Sequence, residues 1–167
     1  ATRHGDAAFE HHATLPQLEV GRGTATVLVG DLDGTASPAR RDTDHLGAEL
    51  ALRPGRSILP LHAAHEYGLV VLEGAVETGG AVAVPGQLAY LGTGRDELVL
   101  ECRAPTVAIL LGGAPFPEEI LMWWNFVARS RDEVDAARTA WEDGEARFGT
   151  VASPLPRTGA PRPPWAT

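Results

Sequence analysis

Short apolar runs separated by turn residues fill the chain between Thr24 and Gly113, and this rhythm constrains the fold more than any other feature. The runs read TATVLVGDL, GAELAL, SILPL, GLVVLEG, AVAV, QLAYLG, ELVLEC and TVAILLGG. Gly- and Pro-containing pairs such as Pro54-Gly55 and Gly79-Gly80 lie between them and provide the backbone angles that tight turns require. The pattern predicts an all-β sandwich or barrel of about eight strands.

The remaining sequence differs in composition from this β region. Residues 1–20 are polar and rich in histidine, and we interpret them as a lead-in segment or a link between domains. The barrel is assigned to residues 21–116, and a Trp-rich strand with a helix to residues 117–149. Residues 150–167 contain so many prolines that they cannot form a helix or a central strand, so an extended tail is predicted.

A helix is predicted near residues 131–143. Ser130 and Glu133 have the spacing of a capping box, in which each side chain accepts from the other residue's backbone N–H. Three apolar residues then recur at helical spacing, namely Val134, Ala137 and Trp141. They form one apolar stripe that ends before Gly144, a residue typical of helix C-termini.

The run MWWNFV lies between Pro117 and the helix and is predicted to be one extended strand, whose side chains alternate between two faces. One face would carry Leu121, Trp123, Asn125 and Val127, and the other Met122, Trp124, Phe126 and Ala128. The second face is apolar throughout and is expected to pack on the barrel or under the helix near Trp141. The first is expected to meet either the helix or another domain.

Charge and cysteine content exclude several classes of protein. The formal net charge is -8 and every basic residue is Arg, which argues against direct nucleic-acid or anionic-membrane binding. No apolar stretch approaches the ~20 residues of a membrane span, and no signal peptide is visible, so a cytoplasmic protein is expected. Cys102 is the only cysteine and is interpreted as a small core residue. The chain starts at Ala1 without Met, which leaves open that it is part of something longer.

The order of motifs from Pro54 to Leu100 resembles the cupin β-barrel, a double-stranded β-helix or jelly roll. A Pro-Gly turn precedes a strand with histidine, and a strand ending Leu72-Glu73-Gly74 precedes Pro-Gly-Gln-x-x-Tyr and a Gly-rich turn. In cupins, an H-x-H pair, a glutamate and a third histidine hold a divalent metal, commonly iron. The resemblance places these ligand positions at Pro60, His62, Tyr67 and Glu97.

Only His62 matches the cupin ligands, and Glu97 is at best a substitute. Proline cannot coordinate a metal, tyrosine is a poor replacement for a carboxylate, and the alternation of Leu98 with Leu100 predicts that Glu97 points away from the core. We therefore expect no metal ligands and no catalytic residues in this chain. His65 could join His62 in a rival site, but this would need a turn where the pattern indicates strand and loop.

The C-terminal sequence resembles the second half of the pirin family of two-cupin proteins. That family carries a run similar to LGGEP, then EE-I-V-M-W-W-N-F-V-A-R-S, a helix, RFG and a Pro-rich ending. The matching residues here are Leu111-Gly112-Gly113, Pro115, Glu118-Glu119-Ile120, Met122 to Ser130, Glu133 and Arg147-Phe148-Gly149. The resemblance extends from about Phe9 to Gly149, and the tryptophan run is its most specific part.

This resemblance implies an N-terminal cupin that binds Fe(II) through three histidines and a glutamate and lies outside this chain. The family activity, quercetin 2,3-dioxygenation in bacterial members, would reside in that domain. The chain would then be a supporting half without metal, with the N-terminal cupin or another protein as partner and a small aromatic substrate in the intact protein. Two alternatives stay open: a non-enzymatic binding or co-regulatory module, and a stand-alone metal cupin using His62, Glu97 and His65.

Overall fold

The computed structural model describes residues 9–166, which form two compact units. The larger unit comprises residues 10–115, and the smaller one comprises residue 9 with residues 116–166. The predicted lead-in lies partly in residues 1–8, outside the described residues, but its last residues form strand β1, Gln17–Glu19, which pairs antiparallel with the next strand.

The larger unit consists of antiparallel sheets. Its six-stranded sheet has the order β1-β2-β5-β12-β7-β10. The five further strands of this sheet are β2 (Gly23–Val29), β5 (His45–Leu52), β7 (Glu66–Glu73), β10 (Leu88–Gly92) and β12 (Thr106–Gly113). The four-stranded sheet has the order β6-β11-β8-β9, with β6 (Gly55–Pro60), β8 (Val76–Thr78), β9 (Ala81–Ala83) and β11 (Glu97–Cys102). A small hairpin pairs β3 (Asp31–Leu32) with β4 (Thr35–Ala36).

One core joins the two sheets, because alternate side chains of each strand point to the same side. Leu50, Leu69 and Leu110 of the larger sheet are fully buried, as are Leu59 and Leu100 of the smaller one. All belong to a single apolar cluster, which also contains Cys102, as predicted. Every apolar run noted in the sequence contains a strand, and the first run contains two, β2 and β3, so the all-β prediction is confirmed for this unit.

The MWWNFV segment forms a hairpin, so the prediction of one continuous strand is wrong. Strands β13 (Leu121–Trp123) and β14 (Phe126–Ala128) pair antiparallel and reverse direction at Trp124 and Asn125. Trp124 has a φ of 51°, a left-handed conformation that is uncommon outside glycine. The reversal changes the predicted faces. Leu121, Trp123, Phe126 and Ala128 now pack in one cluster, while Met122, Asn125 and Val127 are exposed.

The helix of the smaller unit, α1, extends over Arg131–Glu142, as its caps predicted. The Ser130 side chain accepts a hydrogen bond from the Glu133 backbone N–H, and Arg129 N–H donates to the Glu133 carboxylate. Val134 is fully buried in the cluster that contains the hairpin aromatics, and Trp124 and Trp141 meet edge to face at 5.5 Å. A short 3-10 turn, η1, follows at Ala146–Phe148.

The Pro-rich tail contains no helix or strand in its described part, residues 150–166, as predicted, yet it is held against the helix and hairpin. The indole N–H of Trp141 donates to the carbonyl of Thr158, and that of Trp123 to the carbonyl of Pro161. The Ala160 N–H donates to the Glu142 carboxylate. Because proline lacks an N–H, the tail is anchored mainly through its carbonyls, which accept from side chains of the folded segment.

Candidate functional site

A cleft of about 310 Å³, lined by both polar and apolar side chains, opens beside the start of strand β7. Three of the four positions aligned with cupin metal ligands line it, namely Pro60, His62 and Tyr67. The other residues around it come from the β3–β4 hairpin, the segment before β5, the start of β5 and the loop before β7: Asp31, Leu32, Asp33, Arg41, Asp44, His45, Leu46, Leu61 and His65. The resemblance to cupins therefore assigns three of its four ligand positions to this cleft.

His62 and His65 converge through a turn, which corrects the expectation that they would stay apart. The His65 backbone N–H donates to the His62 carbonyl at 2.9 Å, closing the turn between β6 and β7. Their ring centroids lie 4.5 Å apart with the planes tilted by 38°. His62 is exposed, whereas the His65 side chain is largely covered. The turn thus places two imidazoles side by side at the edge of the cleft.

Asp44 holds the His65 ring in place. His65 Nε2 lies 3.0 Å from Asp44 Oδ2, and the guanidinium of Arg41 contacts the other carboxylate oxygen at 3.2 Å. This chain of contacts links the segment before β5 to the turn before β7. Asp44 and Arg41 did not emerge from the sequence, because they lie more than 20 residues from His65 and belong to no motif. The acidic residues Asp42 and Asp44 were the only local sequence signal of a polar contact in this segment.

Tyr67 occupies the position that the resemblance assigns to the glutamate ligand. Its side chain is buried, and its hydroxyl accepts from the His62 backbone N–H at 2.9 Å while donating to the His62 carbonyl at 3.4 Å. The ring lies over Gly112 on the neighbouring strand, where a Cβ atom would come within 2.3 Å of the Tyr67 ring. Burial raises the pKa of the Tyr67 hydroxyl above 10.0, so the group stays a neutral phenol at physiological pH.

Glu97 faces away from the core, as the alternation predicted. It is exposed, it pairs with Pro60 across the smaller sheet, and it does not line the cleft. The neighbours Leu98 and Leu100 are buried on the opposite face of the strand. Glu97 and His62 therefore do not form a common site.

The donor set does not fit an iron site of the cupin type. Pro60 has no donor atom, the Tyr67 hydroxyl is engaged with the main chain, and His65 Nε2 is engaged with Asp44. Iron sites of non-haem enzymes require histidine and carboxylate ligands that converge on one point. Within residues 9–166, no group of three or more His, Cys, Asp or Glu side chains has that arrangement.

The pKa of Asp44 offers a direct test of its contact with His65. The hydrogen bond from His65, with smaller contributions from nearby positive charge, lowers this pKa below its ordinary value of 3.8. A carboxylate with a lowered pKa stabilises the fold above its unfolded pKa and loses that contribution as pH falls through the folded pKa. We expect His65→Ala to raise the Asp44 pKa towards 3.8 in a carboxyl-carbon NMR titration. His45→Ala is the control, and an unchanged Asp44 titration in His65→Ala would contradict the contact.

Within the described residues, no helix has both the length and the apolar character that crossing a membrane demands.

Known proteins are similar to this chain over most of its length. A crystal structure of quercetin 2,3-dioxygenase from Acinetobacter baumannii superposes with a TM-score of 0.90 at 34% identity, covering 99% of this chain and 56% of that protein. A Pseudomonas aeruginosa protein named "putative quercetin 2,3-dioxygenase" is 46% identical over 160 residues, which is 95% of this chain and 51% of the relative. A pirin-like protein of Caulobacter vibrioides is 28% identical over 146 residues, 86% of this chain and 50% of the relative.

The chain thus spans about half the length of the curated relatives it matches. The structural similarity confirms the cupin-type barrel, and quercetin dioxygenase-like relatives imply a metal in the family. The family model for the pirin C-terminal cupin domain matches residues 47–149, a span that contains the cleft residues His62, His65 and Tyr67 together with the tryptophan hairpin and the helix. This chain therefore belongs to the pirin C-terminal cupin family.

Proposed function

We propose that this chain is the supporting cupin of a two-cupin oxygenase-like protein, whose Fe(II) is held by a second, N-terminal cupin. The observation that carries the proposal is the position of Tyr67. A buried phenol, bonded to the His62 backbone and packed over Gly112, stands where a metal-binding cupin has its glutamate. This position of the barrel serves packing, because the Tyr67 ring is buried and its hydroxyl is paired with the main chain.

The size and names of the relatives support the same proposal. Relatives named for quercetin 2,3-dioxygenase activity have about twice the length of this chain. Their additional length is sufficient for a second domain of similar size. A small aromatic substrate such as quercetin would then react at the iron of the N-terminal cupin, and the present chain would stabilise that domain.

Metal analysis tests this division of labour. We expect the purified 167-residue chain, after incubation with Fe(II) and desalting, to retain far less than one iron per molecule, with no difference in His62→Ala. The full-length protein encoded by the same reading frame should retain about one iron, and removing that iron should abolish quercetin turnover. Stoichiometric iron in the chain, lost in His62→Ala, would instead establish a stand-alone metal cupin.

A further inference from the structure

The outer face of the six-stranded sheet is divided into an apolar part and a polar part. On β7, β10 and β12, the side chains directed away from the core are apolar: Val70, Leu72, Leu88, Tyr90, Ile109 and Leu111. On β1 and the first part of β2 they are polar, and Gln17 donates a hydrogen bond to Thr26 across the two strands. Leu28 and Val29 at the far end of β2 are apolar but only partly exposed. The exposed large apolar side chains of this face therefore lie at one end of the sheet, next to its edge strand β10.

The strand register makes these apolar side chains one continuous surface. Leu88 pairs with Val70, and Val70 pairs with Ile109, so three apolar residues form a row across neighbouring strands. A second row runs from Tyr90 through Gly68 to Leu111. The Leu88 side chain leans over Gly68, where a Cβ atom would lie 3.1 Å from its Cδ1. The side chains around Gly68 therefore project further from the sheet than Gly68 itself, so the patch is uneven and not flat.

These side chains are much more accessible than packed residues of a sheet. Leu88 is 60% exposed, Tyr90 is 68% exposed and Leu111 is 47% exposed. Carboxylates flank them: Glu49 pairs with Ile109 at one end, and Glu66 accepts a hydrogen bond from the Tyr90 hydroxyl at 2.8 Å. A contiguous apolar patch with a polar rim is characteristic of a protein interaction surface.

We propose that this face of β7, β10 and β12 docks the second cupin of the full-length protein, which would present an apolar sheet surface with basic residues opposite Glu49 and Glu66. The proposal rests on the proposed function, since it requires that second domain. It goes further by assigning the surface through which the two halves meet.

Net charge and the covalent connection between the two domains favour the second cupin over a second copy of this chain as the partner at this surface. Two copies would each bring a net charge of -8, and a symmetric contact would place the same acidic rim on both sides. Like charges brought together at an interface disfavour association. A domain on the same polypeptide is also present at a high effective concentration, on the order of millimolar. Even a small apolar patch is then sufficient for that domain to bind it.

Leu88→Glu tests the surface, and Val82→Glu is a matched control. Both residues are 60% exposed and both lie on strands of the same unit, but Val82 is on β9 of the smaller sheet. In the isolated chain, both variants should keep the wild-type unfolding midpoint because neither side chain is in the core. In the full-length protein, we expect β7 and β10 amides to exchange with deuterium more slowly than in the isolated chain. Leu88→Glu should lower this added protection roughly tenfold, whereas Val82→Glu should leave it unchanged.

Three results would overturn the proposal. The first is equal exchange of β7 and β10 in the isolated chain and the full-length protein, and the second is an equal effect of the two variants. The third is a dimer of the isolated chain in sedimentation that Leu88→Glu dissociates, since the occupant would then be a second copy. Iron content measured on the same full-length samples separates the two proposals. Bound iron without added protection refutes the docking surface alone, whereas a full-length protein without iron refutes the proposed function.

Discussion

Val134→Asp is expected to unfold the helix-and-hairpin unit. Val134 is fully buried among the hairpin and tail residues, where a carboxylate would find no water. A buried charge without a partner typically costs about 3–5 kcal/mol, and the lost apolar contacts add to this. The outcome can be read from tryptophan fluorescence, because all four tryptophans, Trp123, Trp124, Trp141 and Trp165, belong to this unit. Their emission should shift to the red as the indoles become exposed to water.

Ala136→Asp is the control for this substitution. It introduces the same side chain into the same helix, but Ala136 is exposed and its side chain points to solvent. Its cost should stay near the small difference in helix propensity, roughly 0.5 kcal/mol. Equal fluorescence shifts in the two variants would show that helix propensity, and not the packing of Val134, determines the stability of the unit.

Gly112→Ala is expected to destabilise the barrel by roughly 1–3 kcal/mol or more, which is the cost of overpacking a well-packed core. The added Cβ would come within 2.3 Å of Cδ1 and 2.4 Å of Cε1 of the Tyr67 ring. The ring cannot easily yield, because it is buried and its hydroxyl is bonded to the His62 backbone. Urea unfolding followed by circular dichroism measures the effect as a lowered midpoint.

Gly68→Ala is the matched control for Gly112→Ala. At Gly68 the nearest atom to a new Cβ is the flexible end of the Leu88 side chain at 3.1 Å, which can move on the outer face. We expect only a small change in the unfolding midpoint. In a Tyr67→Leu background, Gly112→Ala should cost less than in the wild type, because the ring that it contacts has gone. Additive effects of Tyr67→Leu and Gly112→Ala would show that the ring contact is not the cause.

The protonation of Asp44 at the cleft depends on hydrogen bonding and charge, and not on the packing effects described above. Asp44 is exposed to solvent, so its lowered pKa reports the hydrogen bond from His65 and nearby positive charge without implying a large contribution to folding. The pKa of the Tyr90 hydroxyl, on the outer face of the larger sheet, is likewise shifted by a side-chain hydrogen bond. Its hydrogen bond to Glu66 raises its pKa, which keeps the phenol protonated.

Local pattern was sufficient for most of the barrel and for the helix. Each apolar run contains a strand because alternating side chains bury one face. The cap at Ser130 defined the start of α1 because its hydroxyl accepts a hydrogen bond from a backbone N–H of the first turn. The outward direction of Glu97 followed from the same alternation. Such features depend on neighbours within a few residues, so the sequence contains the information directly.

Contacts between distant residues were beyond that reasoning. The hairpin at Trp124 replaced the predicted strand because the aromatic residues on both sides of the turn pack with Trp141 and the tail, and this burial outweighs the unfavourable φ of Trp124. The pairing of His65 with Asp44 likewise joins segments 21 residues apart.

The sequence by itself indicated the all-β class, the cupin-like order of motifs and the capped helix, and it shows that Pro60 and Tyr67 differ in type from the cupin ligands that the resemblance places there. Only the tertiary structure decided what replaces that set: Tyr67 closes over Gly112 and bonds to the His62 backbone, while Asp44 aligns His65 at the cleft edge. The physical reason is that residue type alone limits which atoms can coordinate a metal, whereas the occupation of a buried space depends on side chains that strand pairing brings together.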